Sequence, residues 1–423
     1  MEYLLSLLKI IIVGTYIFFF FKSCKKGFLM EGIIIASLYS TVATMIGQES
    51  GKAIVTLFLY FIITLLALKQ KKRNPLNRTL GKKIFGIAIF LLFIQIIISA
   101  FISPAVGYHY YDDKMTFILI DFFIPCFLFI IFGFSCDNNI KFLFNFFEII
   151  ALLMAVLLLL NAYKIGIDSI FISKFMKRVG VGNLNVIWTG RFISVGFLLV
   201  LLTNEWRTIK IAKLLVFMVA MILTGSKAVV LFPVIALILY ILFFNQNNFI
   251  KYKIKLIALL PLIIIGLAIF VSNFNPEAIE RRFSLESTTI ASRENSIQIV
   301  FDQFMNSGNF IFGNGFATAG YPIIGNYDTV FYPHNITVEL LYELGLVGLL
   351  LYYFLLSIPF WNHKKNKLIN KNISIHKTII LMFILYAQTS GNMVGNALLL
   401  TLTGYLIVIM SSTDKNYSQP KLR

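Results

Sequence analysis

The sequence predicts an all-α polytopic membrane protein, with about 12–13 transmembrane helices in a single bundle over residues 1–423 and one large external loop at 273–335. Three observations predict it. Hydrophobic residues make up 58 % of the chain and charged residues only 13 %, half of the roughly 25 % usual in globular proteins. Mean hydropathy is +0.84, so no water-facing surface could cover the molecule. Basic residues, finally, gather in short connections between apolar runs. A soluble enzyme, a disordered tail and a disulfide-stapled secreted module are all excluded.

A bilayer core of about 30 Å needs roughly 20 apolar residues of helix. Runs near that length occur at 4–21, 28–46, 53–68, 84–103, 115–134, 142–163, 185–203, 211–225, 227–244, 256–272, 336–357, 377–391 and 395–411. The first lacks a small-residue cleavage site and reads as a retained helix. Most connections are brief, which predicts one bundle and not separate domains. The three cysteines match no metal spacing and give no disulfide framework. No internal repeat is evident, which speaks against a secondary transporter.

The net charge of +18, from 37 Lys and Arg against 19 Asp and Glu, could suggest nucleic acid. Its distribution instead follows the positive-inside pattern of an inner-membrane protein, so membrane lipids are the expected partners and nucleic acid is not. Twenty-five of the 37 fall in 22–27, 69–83, 135–141, 204–213, 245–255, 358–377 and the tail after 411, against ten in the alternate connections. The first set is read as cytoplasmic. The C-terminus is then inside and 273–335 outside.

That loop is long, polar and punctuated by Gly and Pro in a chain of otherwise minimal loops, which is where function usually sits. Asn275 to Arg293 looks helical and holds the loop's only cations, Arg281, Arg282 and Arg293. The stretch from Gly313 to His334 reads as irregular chain. Then Tyr332-Pro333-His334-Asn335 leads into an apolar helix carrying Glu339, Glu343, Gly345 and Gly348. Asn335 suits the N-cap. The positive end of the helix dipole disfavours imidazolium at His334, leaving a neutral ring able to accept a proton. Glu339 and Glu343 share one helix face, read as lying below His334, and Gly345 with Gly348 as permitting close helix packing. The plain alternative, a histidine of the interfacial belt, is weakened by two buried carboxylates on the same helix.

Lys227 starts the ninth run, where the N–H groups of Gly225 and Ser226 beside its ammonium would suit a phosphate; snorkelling to the interface is the competing reading. Arg191 lies about 9 Å into the membrane below Asn185 at helical rise, and must be paired or line a wet cavity. Either it pairs with Asp121, at similar depth, or it binds a diphosphate or sugar. Tyr108 to Asp113 form an aromatic, acidic loop that suits sugars or the interfacial belt. Trp188 shares that ambiguity. His363 and His376, among cytoplasmic lysines, read as solvated.

The order of these segments carries a resemblance. His334-Asn335 followed by Glu343-Leu344-Gly345-Leu346-Val347-Gly348, after a long external loop, resembles the O-antigen polymerase and O-antigen ligase superfamily. Ser292-Arg293 and then Phe312-Gly313-Asn314-Gly315 are similar to its Arg-containing helix and glycine element. Thr224-Gly225-Ser226-Lys227-Ala228 resembles its Thr-x-Ser-Arg segment, with Lys where Arg is usual, and Gly182-Asn183-Leu184-Asn185 through Arg191 is similar to the segment before it. The resemblance covers roughly residues 180–350.

It implies a GT-C-like membrane glycosyltransferase acting on polyprenyl-diphosphate-linked oligosaccharide, with no cofactor and no essential metal. A Wzy-type polymerase, assembling O-antigen or capsule, is favoured over a ligase to lipid A–core. A flippase or transporter is the different-class alternative, and a flippase and a chain-length regulator are the implied partners. In that mechanism His334 is the general base and Arg293, Arg281, Arg282, Arg191 and Lys227 neutralise the leaving diphosphate. Asn335 and Glu339 orient His334 or the acceptor. The site would face the exterior of the bacterial inner membrane.

Overall fold

Twelve of the thirteen apolar runs fall on helices, and the thirteenth, 256–272, lies outside the described residues. The computed structural model describes residues 2–48, 50–71, 80–132, 139–166, 178–181, 183–203, 208–244, 288–361 and 367–413. In chain order the helices are α1 (Glu2–Lys26), α2 (Leu29–Ser37), α3 (Tyr39–Ile46), α4 (Lys52–Lys71) and α5 (Leu80–Phe101). There follow α6 (His109–Phe132), α7 (Ile140–Ile165), α8 (Val186–Leu202), α9 (Thr208–Leu223) and α10 (Lys227–Phe244). The last are α11 (Thr288–Ser307), the single turn α12 (Tyr321–Ile324), α13 (Ile336–Ser357), α14 (Lys367–Ala387) and α15 (Ala397–Thr413). No strand occurs among the described residues. The chain is an all-α, multi-pass membrane protein.

Seven of these helices are long and apolar enough to cross a bilayer, or eight if α2 and α3, bent by 41°, form one span. The expected twelve or thirteen exceed that for a physical reason. Helices α8 and α9 are short, and α14 opens with Lys367, Lys371, His376 and Lys377, so only its second half is apolar. Large side chains on α1, α4 and α5, among them Ile10, Phe18, Ile54, Phe58, Ile87 and Phe90, are exposed as lipid-facing residues should be.

Helix α8 is the interior element. Fourteen consecutive residues from Thr189 to Leu202 are buried, the all-round burial of a core helix, and α7, α9 and α10 wrap it. A Cβ on Gly190 would lie 2.1 Å from Val229, and one on Gly196 would lie 2.5 Å from Ala151. Small residues let backbones approach where hydrocarbon offers no hydrophobic drive for association.

Gly345 breaks α13. Its φ of 68° and ψ of −169° are non-helical, and the chain 310–314 inserts there: Asn314 N–H donates to Tyr342 O (2.7 Å), and Leu346 N–H to Phe310 O (2.9 Å). From α5, Ser99 Oγ donates to Glu343 O and Gln95 Nε2 to Leu344 O, both at 2.7 Å. Carbonyls freed by the break are thereby satisfied, as irregular backbone at membrane depth requires. Gly345 thus admits a loop, and the nearest neighbour of Gly348 is the Leu344 side chain of its own helix. A Cβ on Gly345 would sit 2.3 Å from Ile311 O, and one on Gly313 2.5 Å from Glu343 O. Gly345→Ala and Gly313→Ala should each lower the melting temperature and the yield of folded protein, measurable by fluorescence-detected gel filtration; wild-type melting in both would contradict the docking.

Candidate functional site

Five elements converge at the end of the bundle where α13 begins. Asn335 caps α13, its Oδ1 accepting from Val338 N–H at 3.1 Å, as the sequence suggested. His334 just before it adopts φ 57°, a left-handed conformation rare outside glycine and found where surrounding structure enforces it. The ring lies edge-on to Tyr332, centroids 4.6 Å apart. Its Nδ1 is buried and has no hydrogen-bond partner among the described residues. Burial, and then the charge of Arg293, push the His334 pKa down to about 4. The ring is neutral, as expected, but desolvation and a guanidinium hold it so.

Arg293, on α11, donates from NH1 to Thr389 O at 2.8 Å. Burial and the neighbouring charge of Arg178 both press its pKa downward. Neither arginine joins an ion pair among the described residues. Two half-buried guanidiniums within each other's field, lacking a carboxylate, form a surface suited to an anion. Tyr332 lies within the fields of Glu339, Arg191 and Arg293, and its burial raises its phenol pKa.

Arg191 does not pair with Asp121. Its NH1 donates to Gly395 O and Asn396 Oδ1, each at 3.1 Å, and its NH2 to Ser390 O (2.7 Å) and Oγ (3.0 Å). The guanidinium lies over the rings of Trp188 and Tyr386, and its Nε has no hydrogen-bond partner among the described residues. A turn at 388–396, between α14 and α15, supplies these acceptors. It sits where the sequence reading had two spans almost meeting.

The same turn gathers the other candidates. Asn335 Nδ2 donates to Gln388 O (3.1 Å), and Thr337, Gln388 and Tyr353 form a hydrogen-bonded triangle. Met393 N–H donates to Glu339 Oε2 at 3.0 Å. The other oxygen of Glu339 accepts from Lys114 Nζ at 2.6 Å, and Lys114 also holds both oxygens of Glu343 at 2.7 Å. All three side chains are buried. Glu339 and Glu343 therefore brace α13 against α6 and the turn, and the expected support of His334 by these carboxylates is not formed.

Lys227 is the first residue of α10. The Gly225 N–H donates to Ile222 O (2.8 Å) and the Ser226 N–H to Thr224 Oγ1 (3.3 Å), so the two amides expected to await a phosphate are engaged. Arg281 and Arg282 lie outside the described residues. The helical look of Asn275 to Arg293 resolves into α11, which begins at Thr288 and runs past Arg293 to Ser307, with 275–287 outside the described residues. His376 is not solvated: it is 1 % exposed, with Nε2 at 3.0 Å from Leu402 O and its ring stacked on Phe144. His363 lies outside the described residues.

Sequence reasoning missed Arg178, Lys114 and the 388–396 turn as parts of the site. The turn had a signal: Gln388, Thr389, Ser390, Asn392 and Asn396, with two glycines, interrupt an otherwise apolar C-terminal third.

No curated protein matches this sequence. Residues 211–353, from α9 to near the end of α13, match the Wzy_C family, described as O-Antigen ligase. That segment contains Lys227, Arg293, His334, Asn335 and Glu339; Arg191 and the 388–396 turn lie beyond its two ends. Members of that family are membrane glycosyltransferase-like enzymes of the polymerase or ligase type, and they act on lipid-linked oligosaccharides. Over that segment, about a third of the chain, the match supports the resemblance to the O-antigen polymerase and ligase superfamily.

Proposed function

We propose that this chain polymerises lipid-linked oligosaccharide repeat units at the outer face of the bacterial cytoplasmic membrane. The growing glycan passes from polyprenyl diphosphate to a sugar hydroxyl of a new lipid-linked unit. One observation carries the reading: a neutral, half-buried His334 stands in the field of Arg293, an arginine with no carboxylate partner among the described residues. A base and an uncompensated cation side by side suit a hydroxyl nucleophile and an anionic leaving group.

In the step itself, His334 takes the proton of the acceptor hydroxyl as that oxygen bonds to the anomeric carbon. The bond from this carbon to the diphosphate oxygen breaks, and polyprenyl diphosphate departs with the electron pair. Arg293 neutralises the departing charge, joined by Arg178, Lys227, Arg281 and Arg282. Arg191 acts as a positioning residue, since four of its five N–H groups hold the 388–396 turn. Asn335 and Glu339 hold the same turn, and through it the backbone around His334.

The ligase reading has one observation in its favour, the description of the matching family. The acceptor separates the two: a polymerase elongates with lipid-linked repeat units alone, whereas a ligase needs lipid A–core. A flippase supplying repeat units and a chain-length regulator would be the working partners of a polymerase. Reporter fusions at Lys83 and Lys365 should read cytoplasmic and one at Ser307 external. A cytoplasmic signal at Ser307 would place the site on the side opposite to its exported substrate.

A further inference from the structure

Beside Arg191 lies a cavity of about 300 Å³, walled by the α2–α3 bend, α6, the start of α8 and the 388–396 turn. That is the lower end of the roughly 300–1,000 Å³ typical of small-molecule sites. It equals on the order of ten waters at about 30 Å³ each, room for one sugar ring and not for a long glycan. The cavity adjoins the arginine site directly. Trp188 and Gly395 line it, and the Arg191 guanidinium stacks 4.8 Å from the Trp188 ring while donating to Gly395 O.

Its lining mixes apolar side chains (Leu38, Phe117, Leu184, Val394, Ala397 and Leu398) with polar ones and includes no cation. Ser40, Thr41, Thr44, Asn183, Asn185 and Asn392 contribute hydroxyls and amides, and Asp121 is the one carboxylate. Asn185 uses its side-chain carbonyl to accept from Ile187 N–H, capping α8, while no hydrogen bond engages its amide among the described residues. Asp121 sits on the π-helical segment Ile118–Phe123 of α6, a widened turn of the kind that recurs at functional sites. Its backbone carbonyl accepts from Thr401, but its carboxylate makes no hydrogen bond or ion pair among the described residues. The charge of Lys52, which reaches Thr44 at the cavity wall, acts on Asp121 without pairing with it, so the carboxyl remains open to a ligand.

The chemistry selects among ligands. A phosphate would find no cation among the lining residues, and a hydrocarbon tail would meet the apolar half of the wall but leave the six polar side chains without partners. A divalent ion would find one carboxylate, and no group of three His, Cys, Asp or Glu gathers among the described residues. A sugar meets each feature: hydroxyls donate to a carboxylate, accept from amides, and the ring packs on an indole. We infer that this cavity binds one sugar residue of the glycan substrate, with Asp121 gripping its hydroxyls and Trp188 packing against its ring. The inference rests on the glycan-transfer reading and adds to it a specificity pocket beside the arginines.

The test uses purified full-length protein and, as probe, the strain's own repeat-unit oligosaccharide freed from its diphosphate by mild acid. Calorimetric titration of the wild type should show saturable binding, unaffected by excess inorganic diphosphate. Asp121→Asn and Trp188→Leu should each weaken binding at least tenfold, and Trp188→Phe should recover part of the loss. Thr41→Val serves as a further variant should Trp188→Leu not fold, with gel filtration as the check. Absence of saturable binding by the wild type, or wild-type affinity in both Asp121→Asn and Thr41→Val, would overturn the pocket. Transfer assays on His334→Gln keep the two claims apart: full transfer there defeats the catalytic reading while leaving the binding result intact. Loss of transfer there with undiminished binding in the pocket variants defeats the pocket alone.

Discussion

His334→Gln loses elongation by about 10² to 10⁴, the range of a general base, while the protein still inserts and folds. Glutamine fills similar space and keeps a hydrogen bond, but it cannot take a proton. His334→Ala should be as inactive, leaving single repeat units on the acceptor with export intact. The left-handed backbone at His334 makes a folding control necessary, and the melting temperature of the glutamine variant supplies it. Full activity in that variant would mean that His334 only positions the acceptor.

The acid limb of the rate profile carries the same assignment. An exposed histidine loses its basic form as pH falls below about 6.5; this ring does so only through about 4. Activity should therefore persist past 6.5 on the acid side and fall as pH passes through about 4. Stability follows with a defined sign. The unfolded chain takes up the proton first, so it binds more protons between about 6.5 and 4, and the folded state loses stability as pH falls through that window.

Arg293→Ala abolishes detectable polymer, because the leaving diphosphate then faces one cation fewer; losing one preorganised donor typically costs about 10² to 10³ in rate. Arg293→Lys recovers little, since an ammonium cannot grip phosphate oxygens as a fork. The alanine variant also has a signature that mere structural damage would not give. Arg293 is the second cause, after burial, of the depressed His334 pKa. The acid limb of the residual rate should move part of the way up toward 6.5. A limb left at about 4 in Arg293→Ala would show that the two side chains do not share a site.

The sequence made local features legible and concealed distant ones. Apolar run length marked the helices, and Asn335 was recognisable as a cap because its partner Val338 is three residues away. Lys114 and Glu343 stand 229 residues apart, and no pattern of spacing announces such a pair, so Glu339 and Glu343 were assigned to their sequence neighbour His334. For Arg191, depth alone suggested either Asp121 or a diphosphate or sugar as its partner. Depth could not reveal that the 388–396 turn offers a guanidinium four acceptors within 3.1 Å. His376 was misread because lysines flank it in sequence, whereas on a helix the neighbours that decide burial are three and four residues away. Gly345 was legible as a site of close approach but its loop partner was not, since a helix break that accepts a loop has the same composition as a packing face.

The acceptor distinguishes polymerisation from ligation. Purified wild type, reconstituted with polyprenyl-diphosphate-linked repeat units as the sole substrate, should produce a ladder of lengthening glycans and release one polyprenyl diphosphate per bond formed. No ladder with repeat units alone, and single-step transfer once lipid A–core is added, would contradict polymerisation and make the chain a ligase.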